Sequence, residues 1–433
     1  MSRPSARERL EHALTRIDDP KGEGARACLT IYRDAAFAAA EASDARRRNG
    51  ISLGPLDGAI LTIKDLFDVG GEVTRAGSRV VAEEGKPAGE DAPVVQRLRA
   101  AGAVIVAKTN MTEFAFSGIG ANPHYGTPGI PADRTRIPGG STSGGAVAVA
   151  DDMCEIAIGS DTGGSTRIPA ALCGIVGWKP SKYRVPTVGA FPLSSTLDSI
   201  GPIARSVADC ALADAVMAGE TPEPIEPTAL AGLRLGIAQG MPVEGLDETV
   251  GKRFPQALDR LEKAGARVTG EKLSLLERML EANSKGGIVP PEAFAVHRDR
   301  FMRRGADLDP NIRTRLERAA KILATDYIDM LSARGELIRA MDARLVDLDA
   351  LVMPTTPIVA PTMEEVATPE NFGRKNAMLL RNTSIVNFFD LCAVSLPLPR
   401  ESGLPAGLML VARNGHDHRL LRIAAAVERL LAS

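Results

Sequence analysis

The chain has 433 residues, a formal net charge of −2, and 44% apolar against 24% charged residues. That balance suits a soluble globular protein with a substantial core and gives no electrostatic case for nucleic acid. No stretch reaches the roughly eighteen uninterrupted apolar residues of a membrane span. Five scattered cysteines (Cys28, Cys154, Cys173, Cys210, Cys392) form no CxxC pair, which argues against structural zinc or a disulfide framework and for a reducing, cytoplasmic setting.

Along the chain, the charged opening Met1 to Leu10 lacks the apolar segment of a secretory signal. Two helices are predicted in the first fifty residues, the second rich in alanine over Ala35 to Ala42 and ended by Arg46-Arg47-Arg48-Asn49-Gly50. An alternating α/β pattern follows. Ala59 to Ile63 reads as a buried strand, and Ala92 to Ala101 as an amphipathic helix with Val94, Val95 and Leu98 on one face. Ala103 to Ala107 and Glu155 to Ile158 read as further buried strands, and Ser206 to Ala218 as a helix. Thr221-Pro222-Glu223-Pro224-Ile225-Glu226-Pro227 is a proline-rich connector.

Beyond it, Leu233 to Ile237 is a predicted strand and Glu248 to Ala264 a predicted helix. From about Leu275 to Leu345 the pattern is helical and highly charged, with a basic patch at Arg298, Arg300, Arg303 and Arg304. Strands return at Leu351 to Met353, Ala393 to Leu396 and Gly407 to Val411, before a last helix over Arg419 to Leu431. No internal repeat or low-complexity tract interrupts the pattern. The expected fold class is α/β, one large mixed sheet between layers of helices. A single domain over 1–433 is expected, with N-terminal helices in 1–50, a core at about 55–220 and 350–430, and a mostly helical insertion at about 228–345.

Two glycine-serine clusters carry the chemical signal: Pro138-Gly139-Gly140-Ser141-Thr142-Ser143-Gly144-Gly145 and Asp161-Thr162-Gly163-Gly164-Ser165. Such clusters make tight strand-to-helix turns, anion cradles, or an oxyanion hole beside a nucleophile. Neither matches GxxxxGK[ST] or GxGxxG, which weakens the cradle. In the third case the N–H groups of Thr162, Gly163, Gly164 and Ser165 converge on a carbonyl oxygen beside the Ser165 hydroxyl. A helix starting at this turn adds a favourable dipole.

A serine nucleophile needs a base. Of five histidines, only His124 is a candidate. His12 is near the N-terminus, His297 lies in the charged helical region, and His416-Asp417-His418 reads as a solvated turn rather than a metal site. No GxSxG elbow is present. The stronger candidate is Lys64, which follows Ile60-Leu61-Thr62-Ile63 where burial can leave its amine neutral.

Together, Lys64-Asp65, Pro138-Gly139-Gly140-Ser141, Asp161 to Gly174 and Lys179-Pro180 resemble the amidase signature family. Lys108-Thr109-Asn110, Leu197 to Pro202, Met353 to Pro357 and Gly403 to Leu408 look like further family landmarks, so the likeness covers about 55–210 and 350–430. The resemblance implies a Ser–cis-Ser–Lys triad: Ser165 as nucleophile, Ser141 as bridging serine after a cis peptide bond, and Lys64 as base. The two serines stand 24 positions apart, as in the family; Ser143, at 22, is a rival for the bridge. The resemblance further implies an acyl-side wall at Met111 to Gly118, with Ala115 and Ser117 nearest the reacting carbonyl, and Asp161 and Arg167 supporting the turn.

The expected activity is hydrolysis of a small linear amide to a carboxylate and ammonia or an amine, with no metal or organic cofactor. The main alternative is the amidase component of a glutamyl-tRNA amidotransferase complex, from whose usual pattern Lys182 to Phe191 departs. A non-enzymatic anion- or nucleotide-binding protein is the distant one. The expected partner is the small-molecule amide, with neither nucleic acid nor membrane, and a homodimer is the common assembly for such an enzyme. Two features have no assigned role: Asp151-Asp152, where the family carries small residues, and the arginine patch, whose options are carboxylate recognition or a solvated helix face.

Overall fold

The apolar runs become strands because both faces of each are covered. In a computed structural model describing residues 4–433, Leu61 and Ile63 enter one core while Ile60 enters another. Ile105 is likewise split from Val104 and Val106, and Ile156 and Ile158 from Ala157. Successive side chains point to opposite faces of a strand, so two helical layers demand apolar residues at every position. Residues 1–3, the first of the charged opening stretch, lie outside the described residues.

The strands are β1 Cys28–Ile31, β2 Ile60–Lys64, β3 Val104–Thr109, β4 Ile156–Asp161, β5 Val176–Lys179 and β6 Ser199–Ala204. They continue with β7 Arg234–Ala238, β8 Arg267–Glu271, β9 Ala350–Pro354, β10 Cys392–Pro397 and β11 Gly407–Ala412. Among the described residues these eleven form one sheet, ordered β1-β3-β2-β4-β6-β5-β10-β11-β9-β7-β8. It is mixed: β2 runs parallel to both β3 and β4, β7 runs parallel to β8 and β9, and the centre is antiparallel. The α/β class and the large mixed sheet are therefore as expected.

Predicted elements such as the helices Pro93–Ala100, Val207–Ala218 and Glu248–Lys263 are present with small shifts at their ends. The charged stretch resolves into helices Ser274–Ala282, Val289–Arg304, Pro310–Ala319 and Ala324–Arg344, while β7 and β8 from the segment before it extend the same sheet. Among the described residues no helix is long and apolar enough to cross a membrane.

Several elements escaped the sequence pattern. The first fifty residues contain β1 as well as helices, because Cys28-Leu29-Thr30-Ile31 is short and pairs only at the sheet edge. Gly201 and Pro202 disguise β6, residues that normally argue against an internal strand. The helix Pro369–Phe388 was also unforeseen. Its buried face carries Asn376, Asn382, Thr383 and Asn387, so the apolar period that marks a helix is broken.

Candidate active site

Strands β2 and β4 lie side by side in parallel, so their carboxyl ends open on one edge of the sheet, where crevices form in α/β folds. Lys64 is the last residue of β2 and Asp161 the last of β4. Ile60, Thr62 and Lys64 share one strand face, against which the helix Ser143–Ala150 packs. This alternation turns the lysine inward instead of leaving it at a wet strand end. Lys64 is fully buried, with its Nζ 2.7 Å from Ser141 Oγ and 2.9 Å from Ser160 Oγ. Burial pushes its amine down to about 7, partly offset by the negative charges of Asp161 and Asp198.

The first cluster approaches the second through backbone. The Gly140–Ser141 peptide bond is cis, and a Cβ at Gly140 would lie 2.7 Å from the Gly120 nitrogen, so only glycine fits there. The Thr142 N–H donates to the Ser165 carbonyl at 3.2 Å, which joins the two loops. In the second cluster Gly164 has φ +137°, and a Cβ there would meet Thr383 Oγ1 at 2.2 Å. The Thr383 hydroxyl donates to the Gly163 carbonyl at 2.6 Å. The N–H groups of Thr162, Gly163, Gly164 and Ser165 have no acceptor among the described residues. They precede the helix Arg167–Cys173, a local field that favours negative charge.

Asp161 and Arg167 anchor this turn. Their side chains are fully buried and paired at 2.8 Å, and Asp161 also accepts from the Thr166 N–H and hydroxyl and from Asn387 Nδ2. Burial alone would raise the Asp161 carboxyl, but the Arg167 charge and these hydrogen bonds outweigh it and hold the group well below the usual carboxylate range. Arg167 also donates to Asn387 Oδ1 at 2.7 Å and to the Thr383 carbonyl at 3.0 Å. Every member of the network is thus satisfied.

Ser165, Thr162, Gly163, Ala115 and Ser117 line one cavity of about 320 Å³. Ala115 holds φ +59°, and the Ser117 hydroxyl donates to Asn376 Oδ1 at 3.1 Å, which fixes the loop. Ala115, Ser117, Thr162, Gly163 and Ser165 thus meet at this cavity, while Lys64 and Ser141 are joined to each other and, through the Thr142 N–H, to the Ser165 loop. The rivals have other partners. The first residue of a helix, Ser143 turns its hydroxyl to the Asn110 carbonyl. His124 pairs instead with Glu113 at 3.2 Å. Asp417 of the His-Asp-His run accepts from Ser181, and His418 pairs with Glu220 at 3.1 Å.

The unassigned features have structural partners too. Asp151 accepts from Arg134 at 2.8 Å, and Asp152 pairs with Arg205. In the basic patch, Arg303 and Arg304 pair with Glu83 and Glu84, while Arg300 reaches His297 Nδ1 at 2.8 Å. Sequence reasoning missed Ser160, Asp198, Thr383 and Asn387, and also Arg315, which lines the cavity. Asp198 accepts from the Thr162 hydroxyl at 2.5 Å. The polar residues at 382, 383 and 387, and the place of Asp198 within the Leu197 to Pro202 landmark, were the signals available.

Comparison with known proteins identifies the family. The sequence profile of the family described as Amidase matches residues 8–421. The 2-amino-5-chloromuconic acid deaminase of Comamonas testosteroni is 35% identical, with 92% of this chain and 86% of the relative covered. A glutamyl-tRNA(Gln) amidotransferase component from Chloroflexus aurantiacus is 36% identical, with 98% and 93% covered. A crystal structure described as an amidase superposes with a TM-score of 0.88 at 32% identity, covering 99% of this chain and 96% of that one. The chain belongs to the amidase family and is a hydrolase acting on carbon–nitrogen bonds.

Proposed function

We propose that this amidase cleaves a small linear amide to a carboxylate and ammonia or an amine through an acyl-enzyme on Ser165. The observation that carries it is the fully buried Lys64 amine, 2.7 Å from Ser141 Oγ, with its proton affinity lowered by burial. Neutral Lys64 accepts the Ser141 proton as Ser141 takes the proton of Ser165. The Ser165 oxygen then attacks the amide carbonyl. The developing oxyanion is held by the acceptor-free N–H groups of residues 162 to 165. On collapse of the tetrahedral intermediate the C–N bond breaks and the relay returns the proton to the leaving nitrogen. Water, deprotonated by the same relay, hydrolyses the ester and frees Ser165. A cytoplasmic setting is part of the proposal, supported by five buried cysteines in the free thiol form.

The test uses the purified full-length chain, a panel of linear, aryl and carboxylated amides, and ammonia release. Ser165→Ala should abolish turnover and labelling by a serine-directed fluorophosphonate; near-normal rates would overturn the assignment. The alternative, the amidase component of a tRNA-dependent amidotransferase, draws support from the Chloroflexus relative. It predicts that the isolated chain stays silent on every simple amide until the other components of such a complex are added.

A further inference from the structure

The cavity beside Ser165 contains one charged side chain, Arg315, in the helix Pro310–Ala319. No Asp or Glu lines that cavity among the described residues. Its guanidinium carbon sits 4.2 Å from the centre of the Phe116 ring, and Phe116 lines the same wall as Ala115 and Ser117. Arg315 Nε is buried without a hydrogen-bond partner, and among the described residues no carboxylate or carbonyl accepts from this guanidinium. The neighbouring charge it feels is that of Arg318, of like sign. Arg167, Arg303 and Arg304, by contrast, each have a carboxylate.

A half-buried cation at a largely apolar cavity, with its Nε shut away from water and no partner, is costly to hold, and its remedy is an anion. Deprotonation offers no escape: burial lowers Arg315 only to about 10, so it stays charged at neutral pH. The guanidinium already stacks on an aromatic face, which fixes its plane and leaves its N–H edge to meet a ligand. A planar, bidentate acceptor fits that edge best. Phosphate would need further donors. The nearby start of the helix Val289–Arg304 supplies few, because Pro290 and Pro291 have no N–H. The rest of the lining is largely apolar, with Leu193, Met279, Ile288 and Phe388.

We infer that Arg315 binds a carboxylate on the substrate, so that the preferred substrates are amides carrying a carboxylate across a short apolar spacer. This rests on Ser165 as the attacking group at the same cavity. Phe116 and the apolar lining hold the spacer, and Arg315 sets which end of the molecule faces Ser165.

The test compares monoamides of dicarboxylic acids of increasing chain length with their neutral diamides in the purified full-length chain. Wild type should favour the acid by about 10- to 100-fold in kcat/KM at the best length, mostly through KM. Arg315→Met should bring the ratio close to one, Arg315→Lys should restore part of it, and Arg303→Ala should leave it unchanged. Should Arg315→Met fail to fold, Arg315→Gln replaces it. A second readout does not depend on turnover: dicarboxylates should protect Ser165 from fluorophosphonate in wild type and not in Arg315→Met. Equal rates for acid and diamide in an enzyme labelled at Ser165, or a preference that survives Arg315→Met, overturn the inference alone. Arg315-dependent binding of dicarboxylates by calorimetry, in a protein that is not labelled at Ser165, upholds the carboxylate site and removes Ser165 from its role.

Discussion

If Lys64 is the base, activity must follow its protonation state. At the ordinary lysine value of 10.5 only about one amine in three thousand would be neutral at pH 7, whereas at about 7 half are. Burial thus supplies about three orders of magnitude in competent base, corresponding to about 4 kcal/mol. The logarithm of kcat/KM for an uncharged amide should rise with unit slope up to about pH 7 and level off above it, since this parameter reports the free enzyme. The perturbation is Ser160→Asp, which sets a carboxylate where a hydroxyl now stands 2.9 Å from Nζ. At that distance and an effective dielectric constant of about 20, the attraction is about 6 kcal/mol before the new carboxylate's own desolvation is subtracted. The acidic limb should therefore move up by at least about one pH unit, with the plateau reached only under alkaline conditions. A limb left in place by Ser160→Asp, a flat profile in wild type, or a limb that persists in Lys64→Ala would refute the assignment.

The same titration links to stability: the unfolded chain holds the Lys64 proton between about pH 7 and its ordinary 10.5 while the folded chain has released it. Resistance to urea should accordingly rise with pH across that window by about 1.4 kcal/mol per pH unit from this group, and Lys64→Met should remove that increment. Arg167→Met leaves the Asp161 carboxylate buried and unpaired, and should cost about 3–5 kcal/mol in urea unfolding as well as activity. Near-wild-type stability would show that Asn387 and Thr166 suffice to hold Asp161. Gly164→Ala meets both an unfavourable φ and the Thr383 side chain, so it should lower turnover sharply; unchanged turnover would show that the 162–165 turn has room to relax.

The buried strands were legible because β2, β3, β4, β9, β10 and β11 are covered on both faces, and such strands must be apolar throughout. The polar face of the helix Pro369–Phe388 hid that element for the opposite reason. Asn376, Asn382, Thr383 and Asn387 face loops and strands distant in sequence, and their hydrogen bonds replace the apolar stripe by which a helix is recognised. Strands β5 and β6 carry glycine or proline where a strand signal would otherwise stand.

By itself the sequence determined the two glycine-serine loops, their spacing, and a lysine at the end of an apolar run. These are local demands of backbone geometry and burial, written in neighbouring residues. Tertiary structure decided what no local pattern encodes. It turned Lys64 inward onto Ser141 rather than out to water, because the strand's alternation puts that face beneath the helix Ser143–Ala150. It gave Arg303 and Arg304 carboxylate partners and left Arg315 without one. Composition cannot distinguish those arginines, since the charge state is common to all of them and only the fold determines which stands at a cavity without a counter-ion.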